Sequence, residues 1–127
     1  MIIIDPASPI PPFEQLRAQL VAAVSSGELP PGDRLPTVRR LADDLGLAPG
    51  TVARAYRELE TAGIVETRGR HGTFVAPQGD PVRREAQRAA ADFVARVRAL
   101  RVEPADALAL VAAALGLGAV EARRALE

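Results

Sequence analysis

The amino-acid sequence predicts a mostly α-helical protein that carries a small β-hairpin and ends in a pair of helices. Three patterns lead to this fold class. Apolar residues recur at helical spacing, between prolines that start helices and glycines that end them. Two short runs rich in β-branched and aromatic residues flank a glycine-bounded tip at residues 69–72. A long apolar stripe then occupies residues 86–100, and a further helical segment begins at Pro104.

The first predicted helix begins at Pro12, after an extended arm over residues 2–5 and a run of prolines that prevents regular strand pairing. Gly27 ends this helix, whose apolar residues follow helical spacing: Phe13, Leu16, Leu20 and Val24. A proline-rich turn and a brief extended piece lead from there to the next helix.

A short helix, a three-residue turn and a second helix come next. We expect Thr37 to cap a helix over residues 38–45, which Gly46 closes. Pro49 suits the first position of the second helix, which should run to about Ala62. The hairpin follows directly. This order is that of a winged helix-turn-helix, in which the second helix enters the major groove of DNA and the first braces it across the backbone.

The exposed face of the second helix carries residues suited to DNA. At about 100° per residue, the inward set is Val52, Ala55, Tyr56 and Leu59, and the outward set is Gly50, Ala53, Arg54 and Arg57. Arg54 is the leading candidate for a base contact, because the fork of its guanidinium matches guanine. Gly50 lets the backbone approach DNA closely, and the Thr51 hydroxyl is suited to a phosphate.

The bracing helix and the hairpin tip complete the predicted DNA surface. Arg39 should project toward DNA with Thr37 near a phosphate, and the tip carries arginines and a histidine between two glycines. The simpler alternative is that these side chains have no role in DNA binding. The exposed arginines would then be only solvated, Arg57 would pair with Glu60 or Thr61 on its own helix, and His71 would face solvent. The full candidate set is Thr37, Arg39, Arg40, Pro49, Gly50, Thr51, Arg54, Arg57, Arg68, Gly69, Arg70, His71 and Gly72.

The C-terminal segment predicts a helical hairpin for dimerisation. Asp80 and Pro81 start a helix that reaches about Arg101, and a second helix follows from Pro104. Two helices cannot enclose a core of their own, so their apolar stripe favours self-association over a plain core. The predicted interface is Ala86, Ala90, Phe93, Val97, Leu100, Leu108, Val111 and Leu115. The predicted organisation is a DNA-binding domain over 1–76, a hinge over 77–80 and a dimerisation tail over 81–127, with one more short turn at the end.

Composition and charge limit the other classes of function. The chain has no cysteine and one histidine, which excludes disulfides and a histidine-rich metal site, and no cofactor is expected. No apolar run reaches the length of a membrane span, so we expect a cytoplasmic protein. The net charge is zero, but residues 34–79 hold seven arginines against five acidic residues. DNA affinity is therefore expected to rest on a local arginine surface.

At these residues the sequence resembles a known family. The stretch GELPPGDRLPTVR, from Gly27 to Arg39, is similar to the signature of GntR-family transcription regulators, and the resemblance continues over residues 10–76. The arm at Ile4-Asp5 and the turn at residues 48–51 resemble the YtrA subgroup. That resemblance implies a short two-helix tail, and a homodimer that binds a two-fold operator as a repressor, often of a transporter operon and its own gene.

One departure from the family pattern bears on the DNA contacts. Many members have an arginine directly before the residues that match Gly50 and Thr51, whereas this chain has Pro49. The base contact implied for that arginine must be absent or come from another residue, which favours Arg54. Arg39 matches the family pattern directly, and so do the wing residues Arg68, Gly69, Arg70 and Gly72.

Two other classes of function compete with DNA recognition. A winged helix can serve as a protein-interaction module without DNA readout, and the neutral net charge favours that alternative. An enzyme is not expected, because only about 50 residues follow the hairpin, too few for a catalytic domain of typical size. A small-molecule effector stays open. A cleft between two subunits would be lined by Phe93, Val97, Leu108 and Val111, although dimer core is the simpler reading of these residues.

Overall fold

Prolines and glycines mark the ends of the helices in the computed structural model, which describes residues 2–118, 121, 123 and 124. A proline stands at the first position of four helices, where its missing N–H leaves no hydrogen bond unmade. Glycines in the left-handed conformation end the first two helices. The helices are α1 Pro12–Ser26, α2 Val38–Leu45, α3 Pro49–Thr61, α4 Pro81–Ala99 and α5 Pro104–Ala114.

The predicted hairpin is confirmed, and we refer to it with its tip, residues 65–75, as the wing. Strand β1, Val65–Thr67, pairs antiparallel with β2, Thr73–Val75. Glu66 and Phe74 are paired at the centre of this two-stranded sheet. The strands are connected by a 3-10 turn over Gly69–His71, a conformation that the sequence pattern did not predict.

The core lies between α1, α2, α3 and the wing. The Leu35 N–H donates to the Thr73 carbonyl at 2.8 Å, so the segment before α2 runs beside β2 and closes this side of the core. All four α3 residues that were predicted to face inward are buried, which confirms the helical phase. The buried cluster comprises Leu16, Leu20, Leu35, Leu41, Ala42, Val52, Ala55, Tyr56, Leu59, Val65 and Val75.

Two glutamines of α1 hold the predicted N-terminal arm. The Gln19 side chain accepts a hydrogen bond from the Ile3 N–H at 2.9 Å and donates to the Ile3 carbonyl at 2.6 Å. Gln15 pairs with the backbone of Asp5 in the same way, at 2.8 and 3.0 Å. Each side-chain amide thus makes the two hydrogen bonds to an arm residue that a neighbouring strand would otherwise make. Between these two residues, Ile4 packs against the core.

The chain divides into two compact units within α4, Met1–Ala91 and Asp92–Glu127. The first unit contains the arm, α1 to α3, the wing and the first half of α4. The second contains the end of α4 and α5, where Ala112 is buried among the described residues. The hinge predicted at 77–80 lies upstream of this division.

Two other observations concern the C-terminal part of the chain. Asp80 caps α4 as predicted, since its Oδ1 accepts a hydrogen bond from the Arg83 N–H at 2.9 Å. The extra short turn predicted near the C-terminus involves residues 119, 120, 122 and 125–127, which lie outside the described residues. Within the described part, none of the helices is both long and apolar enough to cross a lipid bilayer.

Candidate DNA-binding surface

The turn between α2 and α3 has the predicted three residues, 46–48. Gly46 takes φ 67°, and the next N–H, from Leu47, donates to the Ala42 carbonyl at 2.9 Å. At the other end of α2, the Thr37 hydroxyl accepts a hydrogen bond from the Arg40 N–H at 3.2 Å, so the predicted cap is confirmed. These local bonds define the two ends of α2.

Tyr56 anchors α3 to the segment before α2. Its hydroxyl donates to the Pro36 carbonyl at 2.8 Å, and the residue is only 7% exposed. Burial disfavours the phenolate and raises the pKa of Tyr56 to about 12. Helical phase predicted that this side chain faces inward, but its partner at Pro36 could not be inferred from spacing. Tyr56 therefore fixes α3 against the segment before α2.

Three of the four residues that phase analysis assigned to the outward face of α3 are exposed, and the fourth, Ala53, is half-buried. Pro49, Gly50, Arg54 and Arg57 are exposed, and Thr51 is half-buried. No heavy atom lies within 4 Å of the position that a Cβ on Gly50 would occupy, so the backbone there is open to a ligand. The start of α3 thus offers unhindered backbone beside two cationic side chains.

Arg54 is directed toward α1. Its Cζ lies 3.7 Å from the ring centroid of Phe13, and its Nε lies 3.8 Å from Glu58 Oε1. Arg17 of α1 approaches the other carboxylate oxygen of Glu58 at 3.5 Å. Sequence reasoning assigned Phe13 to an apolar helix face and did not identify it as a partner of Arg54, because only the packing of α1 on α3 brings them together.

The start of α2 presents two arginines and the capping threonine. Arg39 is exposed, and Arg40 forms a loose ion pair with Asp44 at 3.6 Å. Arg34 lines a shallow groove together with Thr37 and Arg40. Arg34 was absent from the predicted site, although its position in the signature stretch beside Leu35 would have been a reason to include it.

The wing tip exposes the predicted cationic residues. Arg70 and His71 lie in the 3-10 turn and are exposed. The turn is closed because the Arg68 N–H donates to the Gly72 carbonyl at 2.8 Å. Gly69 and Gly72 take φ 54° and 108°, a backbone conformation that side chains with a Cβ rarely adopt. Both glycines are therefore needed for the shape of the tip, which places Arg70 and His71 outward.

The remaining predicted residue of the wing, Arg68, lies between β1 and the tip turn. It pairs with Glu66 of β1, at 2.7 Å, and its guanidinium lies 4.3 Å from the ring centroid of Phe74. Arg88 of α4 approaches the same carboxylate at 3.5 Å. Neither Glu66 nor Arg88 was predicted as part of the site, since a pairing between a strand and a helix more than twenty residues away has no periodic signal.

One groove connects the three elements of the surface. It has a volume of about 200 Å³ and lies where α2, α3 and the wing meet. The lining residues are Val38 from the start of α2, Ala53, Tyr56, Arg57 and Glu60 from α3, and Thr67 and Thr73 from the wing. Arg57 therefore faces a depression shared by all three predicted DNA-contacting elements, whereas Arg54 lies on the side of α3 toward α1.

The predicted dimer residues lie in both compact units. In the first unit, Ala86 and Ala90 are exposed on α4. In the second, Phe93, Val97 and Val111 are half-buried, while Leu100, Leu108 and Leu115 are exposed by 75%, 47% and 69%. Val94 and Leu110 are also exposed, although neither was in the predicted set.

Comparison with known proteins agrees with these features. A family model described as bacterial regulatory proteins, gntR family, matches residues 12–75, from the start of α1 to the end of β2. The HTH-type transcriptional regulator Rv1152 of Mycobacterium tuberculosis is 55% identical over 98 residues, which cover 77% of this chain and 80% of that protein. The HTH-type transcriptional repressor YtrA of Bacillus subtilis is 45% identical over 76 residues, 60% of this chain and 58% of that protein.

A solved structure relates the fold to DNA. The structure of AraR(DBD) in complex with operator ORX1 matches with a TM-score of 0.52 and 26% sequence identity, and the match covers 57% of this chain and 89% of that one. The predicted winged helix-turn-helix and the predicted resemblance to YtrA-like regulators are both confirmed. The chain is a DNA-binding transcription regulator and belongs to the GntR family of bacterial regulatory proteins.

Proposed function

We propose that this regulator is a cytoplasmic repressor that binds a two-fold symmetric operator as a homodimer. The observation that carries the proposal is the groove where α2, α3 and the wing meet, because it brings together the three elements that carry the candidate DNA contacts. The repressor role is supported by the name of the Bacillus subtilis relative. Resemblance to the YtrA subgroup extends the proposal to control of its own gene and a transporter operon.

Within each protomer, the three elements take different roles. The start of α3 enters the major groove, where the backbone at Gly50 approaches DNA and Arg54 and Arg57 read base edges. The other predicted residues position the protein on the sugar-phosphate backbone or, in the wing, contact an adjacent groove. This second set consists of Thr37, Arg39, Arg40, Pro49, Thr51, Arg68, Gly69, Arg70, His71 and Gly72.

Dimerisation is assigned to the apolar residues of α4 and α5. Among the described residues of the second unit, five large apolar side chains are exposed and only Ala112 is buried. Exposed apolar surface on so small a unit is unfavourable in water, and a second copy would cover it. Two copies would also present two α3 helices to DNA, about one helical turn apart.

The proposal is tested by binding-site selection. The wild-type protein is used to enrich duplexes from a random-sequence library, and the bound region of an enriched duplex is mapped by hydroxyl-radical footprinting. We expect an inverted repeat protected in two blocks on the same face of the duplex. Affinity should fall steeply as salt rises, because arginines displace counterions from phosphates. An enriched site without two-fold symmetry, or no enrichment at all, would contradict the proposal.

A further inference from the structure

Glu66 joins two arginines that come from different elements of the first unit. Arg68 donates two hydrogen bonds to Glu66 Oε1, from Nε at 3.1 Å and from Nη2 at 2.7 Å. Arg88 of α4 places its Nη1 3.5 Å from the same oxygen. The Arg68 guanidinium also lies over the Phe74 ring, with 4.3 Å between Cζ and the ring centroid.

These contacts orient Arg68 without using up its capacity to bind. A guanidinium has five N–H donors in a planar fork. Two of the five are directed at Glu66, and one face of the plane is covered by Phe74. Both Nη1 donors have no partner among the described residues, so they remain available for a phosphate or a base edge, in an orientation that Glu66 and Phe74 define. A flexible arginine would lose more side-chain entropy on binding than one held in this way.

The net charge of Glu66, Arg68 and Arg88 together explains why the Glu66 carboxylate is tolerated beside DNA. Glu66 alone would cancel the positive charge of Arg68 and repel DNA. Arg88 supplies a second cation, so the three side chains together keep a net charge of +1. The wing therefore keeps its attraction for phosphate while one arginine is fixed in direction.

We propose that Glu66 is a positioning residue for DNA recognition by Arg68, and that Arg88 holds Glu66, so that α4 sets the orientation of the wing arginine. The inference rests on the proposed function, because it requires that Arg68 touches DNA. A single exposed ion pair adds little to folding stability. The effect of Glu66 therefore falls on the discrimination between DNA sequences rather than on the stability of the fold.

The test compares two duplexes of equal composition, one enriched from a random library by the wild-type protein and one with its sequence shuffled. Glu66→Gln keeps the size of the side chain and one oxygen acceptor but removes the charge. We expect tighter binding to the shuffled duplex and a specificity ratio lowered about fivefold, the effect of weakening one oriented arginine contact. Arg88→Gln should lower the ratio in the same direction but by less.

Two further variants isolate the mechanism. Asp43→Asn removes the same charge from an exposed position on α2 and should leave the ratio unchanged. In an Arg68→Ala background, Glu66→Gln should no longer change the ratio, because the residue through which it acts is gone. Both results would support positioning, since a purely structural role of Glu66 would persist without Arg68.

Other outcomes would overturn the inference. Equal gains in affinity on both duplexes after Glu66→Gln would mean that Glu66 only repels DNA. A loss of specificity that persists in the Arg68→Ala background would assign its effect to another residue. If Arg68→Ala alone changes neither affinity nor ratio, the inference fails while an enriched two-fold site still upholds the proposed function. If no duplex is enriched, the proposed function itself fails.

Discussion

At the scale of single residues, Arg54 has two partners that compete with DNA for its guanidinium, the Phe13 ring and the Glu58 carboxylate. An exposed ion pair of this kind contributes at most about 1 kcal/mol, whereas a bidentate contact to guanine discriminates by about 1–3 kcal/mol. The contact with guanine is therefore strong enough to displace Glu58. Arg17 is the second cation on Glu58 and compensates its charge when Arg54 leaves.

We expect Arg54→Ala to weaken binding to the enriched duplex about tenfold or more and to relax the preference at one base-pair position in each half-site. Titrations against duplexes that each carry one substituted base pair measure this. Arg17→Ala is the matched control, since it removes the other partner of Glu58 from α1 and should preserve the preference at every position. If both variants lose the same preference, the role of Arg54 is to hold α1 against α3 rather than to read a base.

Tyr56 gives the first unit a definite response to alkaline pH. Burial raises its pKa to about 12, above the value of about 10 in an unfolded chain. The folded state thus retains a proton that the unfolded state loses, so the free energy of unfolding falls as pH rises from about 10 to 12, by up to about 3 kcal/mol. Absorbance at 295 nm reports this directly, since Tyr56 is the only tyrosine. A titration midpoint near pH 10 for Tyr56 in the native protein would contradict this prediction.

At the scale of elements, Gly50 near the start of α3 is expected to favour close approach to DNA at the expense of helix stability. Gly50 is helical, and a Cβ there would meet no atom within 4 Å, so Gly50→Ala should raise the stability of the fold by up to about 1 kcal/mol. The same Cβ would separate the α3 backbone from the DNA. We therefore expect a higher melting temperature together with weaker binding to the enriched duplex.

Gly63 provides the reverse control for this prediction. It follows α3 at φ 76°, so Gly63→Ala should destabilise the fold, while the surviving folded protein binds DNA as before. Thermal unfolding and DNA titration on both variants separate the two effects. If Gly50→Ala binds DNA as tightly as the original chain, the backbone at that position does not approach the duplex.

Elements were more predictable from sequence than the side-chain contacts between them. Pro12 and Pro49 suit the first turn of a helix, and Gly27 and Gly46 suit the left-handed residue after its last turn, so local chemistry alone predicted the bounds of α1 and α2 and the start of α3. The inward phase of α3 followed from helical periodicity. These features depend on a few neighbouring residues.

Contacts between distant segments escaped prediction for a physical reason. The pairs Arg54–Phe13 and Glu66–Arg88 arise only when α1 packs on α3 and α4 lies beside the wing. For each exposed charged side chain, the sequence offers many equally suitable ion-pair partners. The interaction free energies of such exposed pairs differ little from one another. Periodicity therefore assigned Arg54 to the correct face of α3 but did not predict the direction that its side chain takes on that face.

At the scale of the whole molecule, we expect a chain with a net charge of zero to depend on the proposed homodimer for its DNA affinity. One surface has few arginines, some of them partly compensated by Asp44, Glu58 and Glu66. Two linked surfaces bind a two-fold site with an effective concentration that a single copy lacks. We therefore expect the loss of dimerisation to weaken DNA binding as much as the loss of a base-reading residue.

Leu108→Glu tests this coupling on the exposed apolar face of α5, where Leu108 is 47% exposed. A carboxylate there would have to be desolvated in the predicted interface, so the variant should sediment as a monomer and bind the enriched duplex roughly a hundredfold more weakly. Its affinity for a duplex with a single half-site should stay unchanged, since the first unit is intact. Ala109→Glu adds the same charge on a different face of α5 and should remain dimeric. A monomeric Leu108→Glu variant that still binds the two-fold duplex with full affinity would mean that dimerisation is not the source of operator affinity.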